Sequence, residues 1–163
     1  MATTPATRAL ERAGMGWREH RYDYVDHGGT TEASRQLGID EHRIAKTLVM
    51  VDDRRRERLV VMHGDCTVAL KQLAREVGCK TVTPAAPELA ERVTGYRIGG
   101  ISPFGTRKAM PVHVARGLLA LETLLVNGGQ RGFLIEIPPR VIVDLLAATA
   151  VDCALPVRDG AVR

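Results

Sequence analysis

The sequence predicts an α+β fold built on a mixed sheet. Three observations lead there. Short apolar runs, 46–51 and 133–137, read as strands, whereas 68–77 carries apolar residues at helical spacing. Paired strands alternate with helices irregularly, which disfavours a doubly wound parallel fold. The 163 residues show no internal repeat and no low-complexity linker, so residues 1–155 read as one domain and 156–163 as a flexible tail.

Thr4-Pro5 opens the first helix, with Thr as N-cap and Pro at the first helical position. Gly14 and Gly16 end it. Residues 17–24 read as a strand on which His20 and Tyr22 share a face. A helix follows over 31–37, then a short turn capped by Asp40. Strands over 46–51 and 59–63 flank a charged hairpin, 52–58, whose arginines Arg54, Arg55, Arg56 and Arg58 suit either solvent or phosphate. A helix starts at 65–67, with Val68, Leu70, Leu73 and Val77 as its apolar stripe. A strand over 80–83 and a helix over 88–93 lead to a glycine-rich stretch. Strands follow over 111–115 and 123–127. Asn127-Gly128-Gly129-Gln130-Arg131-Gly132 is a turn signal before the strand 133–137. Pro138-Pro139 starts the last helix, 140–149, and the chain from Asp152 is weakly specified.

Composition narrows the function classes. Hydrophobic residues make up 45% of the chain, enough for a core, and aromatics only 4%, so aliphatic side chains must fill it. The net charge of +4 is compatible with an RNA or phosphate partner without requiring one. No apolar run approaches the ~18 residues of a membrane span. The N-terminus lacks the apolar core of a signal peptide. Cys66, Cys79 and Cys153 are odd in number and widely spaced, which fits a reducing cytoplasm. His20, His27, His42, His63 and His113 are scattered, and none sits at metal-ligand spacing. Serine-hydrolase elbow, HExxH, P-loop and dinucleotide fingerprints are all missing from the sequence.

Two features carry candidate chemistry. The first is Thr94-Gly95-Tyr96-Arg97-Ile98-Gly99-Gly100-Ile101-Ser102-Pro103-Phe104-Gly105. Its glycines allow backbone amides to approach a ligand, and Pro103 pushes Ser102 into an extended conformation. Such amides suit an anion or a carbonyl oxygen, and an ordinary turn between strands suits the pattern as well. The second is Lys46, at the head of an apolar strand. A lysine there either snorkels to solvent or turns its ammonium into a cleft.

Taken in order, Lys46-Thr47-Leu48, the Gly-Gly-Ile-Ser-Pro core at 99–103 and Asn127-Gly128-Gly129-Gln130-Arg131-Gly132 resemble the YbaK family. That family is the free-standing relative of the bacterial prolyl-tRNA synthetase editing domain, and the similarity spans nearly the whole chain. The resemblance implies a mixed, partly curled sheet surrounded by helices. It implies a trans-editing aminoacyl-tRNA deacylase that uses no metal or other cofactor, with Cys-tRNA(Pro) as the leading substrate. Alanine or another small residue is the alternative substrate, and a non-catalytic tRNA-binding domain the alternative class. Its partner would be the aminoacylated 3′ end of tRNA, with prolyl-tRNA synthetase left open as a second.

The resemblance also implies residue roles. Lys46 would meet the terminal adenosine phosphate or the ester carbonyl. The amides around Gly99, Gly100 and Ile101 would hold the carbonyl oxygen as charge develops. Ser102 and Pro103 would shape the loop and border substrate, and Tyr22 would line the pocket. In cysteine-specific members the substrate thiol is thought to attack its own ester, so the protein needs no nucleophile. Two departures stand out. Leu134 occupies a place where similar cysteine deacylases carry an acid, with Glu136 two residues later. The loop between Tyr22 and Thr31 is short.

Overall fold

The structure is a computed structural model that describes residues 2–157. Helix α1, Pro5–Arg12, starts as its sequence predicts. The Thr4 hydroxyl accepts the Thr7 N–H at 3.1 Å, and the Thr7 hydroxyl accepts the Thr4 N–H at 2.8 Å. The Thr4 hydroxyl also donates to the Gly128 carbonyl, which ties α1 to the end of a distant strand.

Three sheets follow. The largest has five strands in the order β5 (Val82–Pro84), β2 (Ala45–Asp52), β3 (Glu57–His63), β6 (Val112–Ala115) and β9 (Thr149–Val151). Its β3–β6 and β6–β9 pairs are parallel, and its other pairs antiparallel. The run Leu59–His63 is buried throughout, as befits a central strand covered on both faces. The second sheet orders β1 (Arg18–Arg21), β8 (Phe133–Ile137) and β7 (Leu124–Gln130), all antiparallel. A parallel bridge between Ile44 and Leu125 joins the start of β2 to β7 and curls one sheet toward the other. The third sheet is a short pair, β4 (Cys66–Val68) with β10 (Ala154–Pro156).

Helices α2 (Gly29–Leu37), α3 (Leu70–Val77), α4 (Pro87–Thr94), α5 (Arg116–Leu119) and α6 (Arg140–Leu146) complete the fold. The main core gathers Val60, Met62, Val114, Leu118, Phe104 and Ile135, each fully buried. A smaller cluster of Ala33, Ile44, Leu125 and Leu134 lies against α2, with Tyr22, Leu37 and Ile39 packed on it.

Several segments differ from the sequence-based expectation. Residues 66–68 do not begin a helix. Their backbone pairs with 154–156, and the Ala69 N–H donates to the Cys153 carbonyl at 2.7 Å, so α3 starts at Leu70. A pairing across more than 80 residues overrides the local helical period there. The same contact orders 154–156, which the sequence left unspecified. The remainder of the expected tail, 158–163, lies outside the described residues. The last helix stops at Leu146 because Thr149–Val151 joins β6. The strand expected over 17–24 keeps only Arg18–Arg21. The glycine-rich 127–130 run is not itself the turn. Strand β7 continues to Gln130 through a bulge, and chain reversal falls at Arg131 and Gly132.

Candidate active site

The glycine-rich loop is fastened at the end of β7. A parallel bridge joins Ile44 to Leu125, two residues before Lys46 and Asn127 respectively. Asn127 then reaches the loop, its Nδ2 donating to the Gly99 carbonyl at 3.2 Å. Its Oδ1 accepts the Gly129 and Gln130 amides at 2.7 and 3.1 Å, which fixes the bulge. The Lys46 Nζ lies 3.5 Å from the Gly64 carbonyl oxygen, in the turn after β3. The Thr30 hydroxyl, on α2, reaches the same oxygen at 3.2 Å.

The loop is set by close backbone approach. Gly99 has φ +87°, and a Cβ there would stand 2.7 Å from the Tyr24 hydroxyl. A Cβ on Gly100 would stand 2.9 Å from the Arg131 backbone nitrogen. The Arg131 guanidinium sits 4.7 Å from the Tyr24 ring centroid, and its Nε donates to the Ile98 carbonyl at 2.9 Å. Tyr24, Arg131 and Asn127 thus clasp the loop from three sides. None was singled out from sequence. Asn127 and Arg131 stood inside a turn signal, and Tyr24 inside a presumed strand.

The expected residues divide by what their groups are free to do. The Gly100 N–H donates to the Arg97 carbonyl at 2.8 Å, so it closes a turn and is not available to substrate. Among the described residues, the Gly99 and Ile101 amides have no partner. Ser102 is fully buried, and its Oγ accepts the Phe104 N–H at 3.2 Å. Pro103 is buried too. Both residues are packed into the loop. Tyr22 is half-buried. It lines an open hollow of about 350 Å³ with Arg21, Asp23, Gln36, Arg131 and Gly132. Burial pushes its phenol pKa up, and nearby Tyr24 adds to the rise. Lys46 does not line that hollow.

The β8 residue opposite Asn127 is apolar. Leu134 pairs with Asn127 across the β7–β8 ladder and is 4% exposed. Glu136 cannot stand in for the absent acid. Its carboxylate takes the Thr123 hydroxyl, the His20 Nε2 at 2.8 Å and Arg43 at 3.2 Å. The Thr123 bond does most to hold it below the usual range for a glutamate.

The Gly64 turn beside Lys46 is braced by histidines. The His63 and His42 rings stack at 3.7 Å, within 10° of parallel. The His63 Nδ1 bonds the His42 carbonyl at 2.7 Å, and the His42 Nδ1 bonds Asp65 at 2.9 Å. His42, Asp65 and Cys66 bring possible metal donors within 4.8 Å of one another. The Cys66 thiol is pushed up to about 11, chiefly by burial.

This brace predicts acid sensitivity. Burial depresses the His63 pKa below 6.5, against the His42 carbonyl bond, which raises it. The fold therefore favours the neutral ring. That contribution is complete above the unfolded pKa and is lost as pH falls through the lower folded value. His113, depressed by burial and then by Arg58, adds to the same slope. Melting temperature should fall between about pH 7.5 and about pH 5, and His63→Asn should flatten the decline.

Architecture and site together define an aminoacyl-tRNA editing domain. The profile of that family, described as the aminoacyl-tRNA editing domain, matches residues 27–145, and the chain belongs to it. EbsC of Enterococcus faecalis, named as a candidate Cys-tRNA(Pro)/Cys-tRNA(Cys) deacylase, is 33% identical over 143 residues, covering 87% of each chain. A solved structure described as a candidate trans-editing enzyme for prolyl tRNA synthetase superposes with TM-score 0.82 at 26% identity. It covers 95% of this chain and 99% of its own. The hypothetical protein APE2540 matches with TM-score 0.85 at 26% identity, over 93% of this chain and all of its own. No described helix is long and apolar enough to cross a membrane.

Proposed function

We propose that residues 1–155 act as one trans-editing deacylase, which hydrolyses the ester between a small mischarged amino acid and tRNA. Cysteine on tRNA(Pro) is the leading substrate. What supports this reading is the editing-domain match over residues 27–145, together with a Gly99 loop tied to Asn127 on the strand that bridges the chain just before Lys46. An aminoacyl ester is already reactive, so positioning and charge stabilisation supply much of the acceleration. The Lys46 ammonium holds the terminal phosphate or the ester carbonyl. The Gly99 and Ile101 amides receive the carbonyl oxygen as negative charge grows. With a cysteinyl ester, the substrate sulfur bonds to the carbonyl carbon and its proton is lost. The bond to the ribose oxygen breaks, that oxygen takes a proton, and a cyclic thioester leaves. Tyr22 borders the amino-acid end.

Leu134 favours a second substrate. With Glu136 tied to Thr123, His20 and Arg43, neither position offers a free acid to select cysteine over alanine. Packing alone separates side chains differing by one methylene by only about 10–200-fold. Deacylation of Cys-, Ala-, Pro- and Ser-charged tRNA decides between them. We expect Cys-tRNA(Pro) to be cleared fastest and Ala-tRNA detectably. Binding of tRNA without turnover of any ester would end the deacylase reading. The case for prolyl-tRNA synthetase as a partner rests on the relatives' names, and co-purification tests it.

A further inference from the structure

The β2–β3 hairpin tip carries a second cationic surface, far from Lys46. Arg54, Arg55 and Arg56 are exposed in succession. Their backbone is rigidly held. The buried Asp52 carboxylate accepts the Arg54 and Arg56 amides at 2.8 and 3.0 Å, and Arg55 takes φ +61° between them. Asp53 accepts the Lys80 and Thr81 amides at 2.8 and 3.3 Å, which brings exposed Lys80 alongside.

Every nearby acid is committed. Asp52 pairs with the inward Arg58 at 3.1 Å, Asp53 with backbone amides, and Glu57 with Lys108 at 2.9 Å. Among the described residues, the side chains of Arg54, Arg55, Arg56 and Lys80 have no ion pair or hydrogen bond. Four cations therefore crowd one tip against a single carboxylate outside any ion pair, Asp53, on a backbone that does not depend on their side chains. Crowding of this kind suits a partner with closely spaced negative charges.

We propose that this tip binds the sugar-phosphate backbone of the tRNA body, an inference that rests on the deacylase reading. Asp52 lies six positions along β2 from Lys46, about 20 Å at strand rise. The tip lies beyond the reach of the aminoacyl adenosine and within reach of the helical RNA that carries it. Phosphate contacts there fix orientation without reading sequence, so they would serve several tRNAs equally.

The test compares two substrates. One is full-length aminoacyl-tRNA, the other an aminoacylated CCA trinucleotide without a stem. The protein carries Arg54→Gln, Arg55→Gln and Arg56→Gln together, which leaves the Asp52–amide bonds in place. With full-length tRNA, KM should rise roughly tenfold and kcat should hold. The log–log salt slope should become shallower by about 0.9 for each phosphate that the variant no longer neutralises. Trinucleotide turnover should not change, and a triple Arg→Lys variant should keep most of the affinity. Unchanged KM and salt slope on full-length tRNA would overturn the proposal. So would an equal loss on the trinucleotide, since the hairpin would then act through the site. If the wild-type protein hydrolyses none of the esters, the deacylase reading fails. Uncharged tRNA binding to wild-type and variant protein then decides the tip separately, with equal affinities refuting it.

Discussion

Lys46→Ala is expected to lower the deacylation rate by about 10²–10³-fold, the usual cost of removing one charge-stabilising donor. The loss should fall on kcat when Lys46 meets the ester carbonyl, because that oxygen gains charge only as the reaction proceeds. It should fall mainly on KM when Lys46 holds the terminal phosphate, which is charged throughout. The substitution therefore does more than test involvement, since the kcat–KM split names the group contacted. Stability should hardly move. Backbone pairing of Lys46 with Met62 survives any side chain, and the residue is only half-buried. Lys46→Arg restores the charge on a larger, planar head and should rescue a phosphate contact better than a carbonyl contact. Single-turnover deacylation with each variant and a thermal melt measure all of this. Wild-type rates in Lys46→Ala would remove Lys46 from the site.

The sequence made one part of this site legible and hid another. The α+β class, the cap at Thr4, the strand after Lys46 and the shaped loop all follow from local chemistry, which requires no distant partner. The apolar β8 position was half legible. Leu134 was visible as a departure, but only coordinates show that Glu136 is engaged by Thr123, His20 and Arg43, drawn from three separate segments. Asn127 was legible as turn chemistry and hidden as the residue that fastens the Gly99 loop, because its partner is 28 residues away. The Gly100 amide looked free, since a turn back to Arg97 cannot be told from an open loop by composition. Strand β10 was invisible for the same reason as β4, since each is specified mainly by the other.

Gly100→Ala should cost the enzyme more activity than stability. A Cβ at this position would meet main chain, 2.9 Å from the Arg131 nitrogen and 3.0 Å from the Gln130 carbonyl carbon. Neither atom can swing aside as a side chain does, so the glycine loop and the β7–β8 turn must separate. That separation pulls on the Asn127–Gly99 bond and moves the Gly99 and Ile101 amides relative to Lys46. A displacement near 1 Å costs about 10²-fold in rate, and a loss of that order is expected in kcat. Gly105→Ala is the matched control. Gly105 has φ +66°, and its Cβ would collide with the Pro5 carbonyl at the start of α1, so strain falls on helix packing instead. Melting temperature should drop more for Gly105→Ala, and kcat more for Gly100→Ala. Equal ratios of rate loss to stability loss in the two variants would show that the loop supports the fold and does not place the reacting ester.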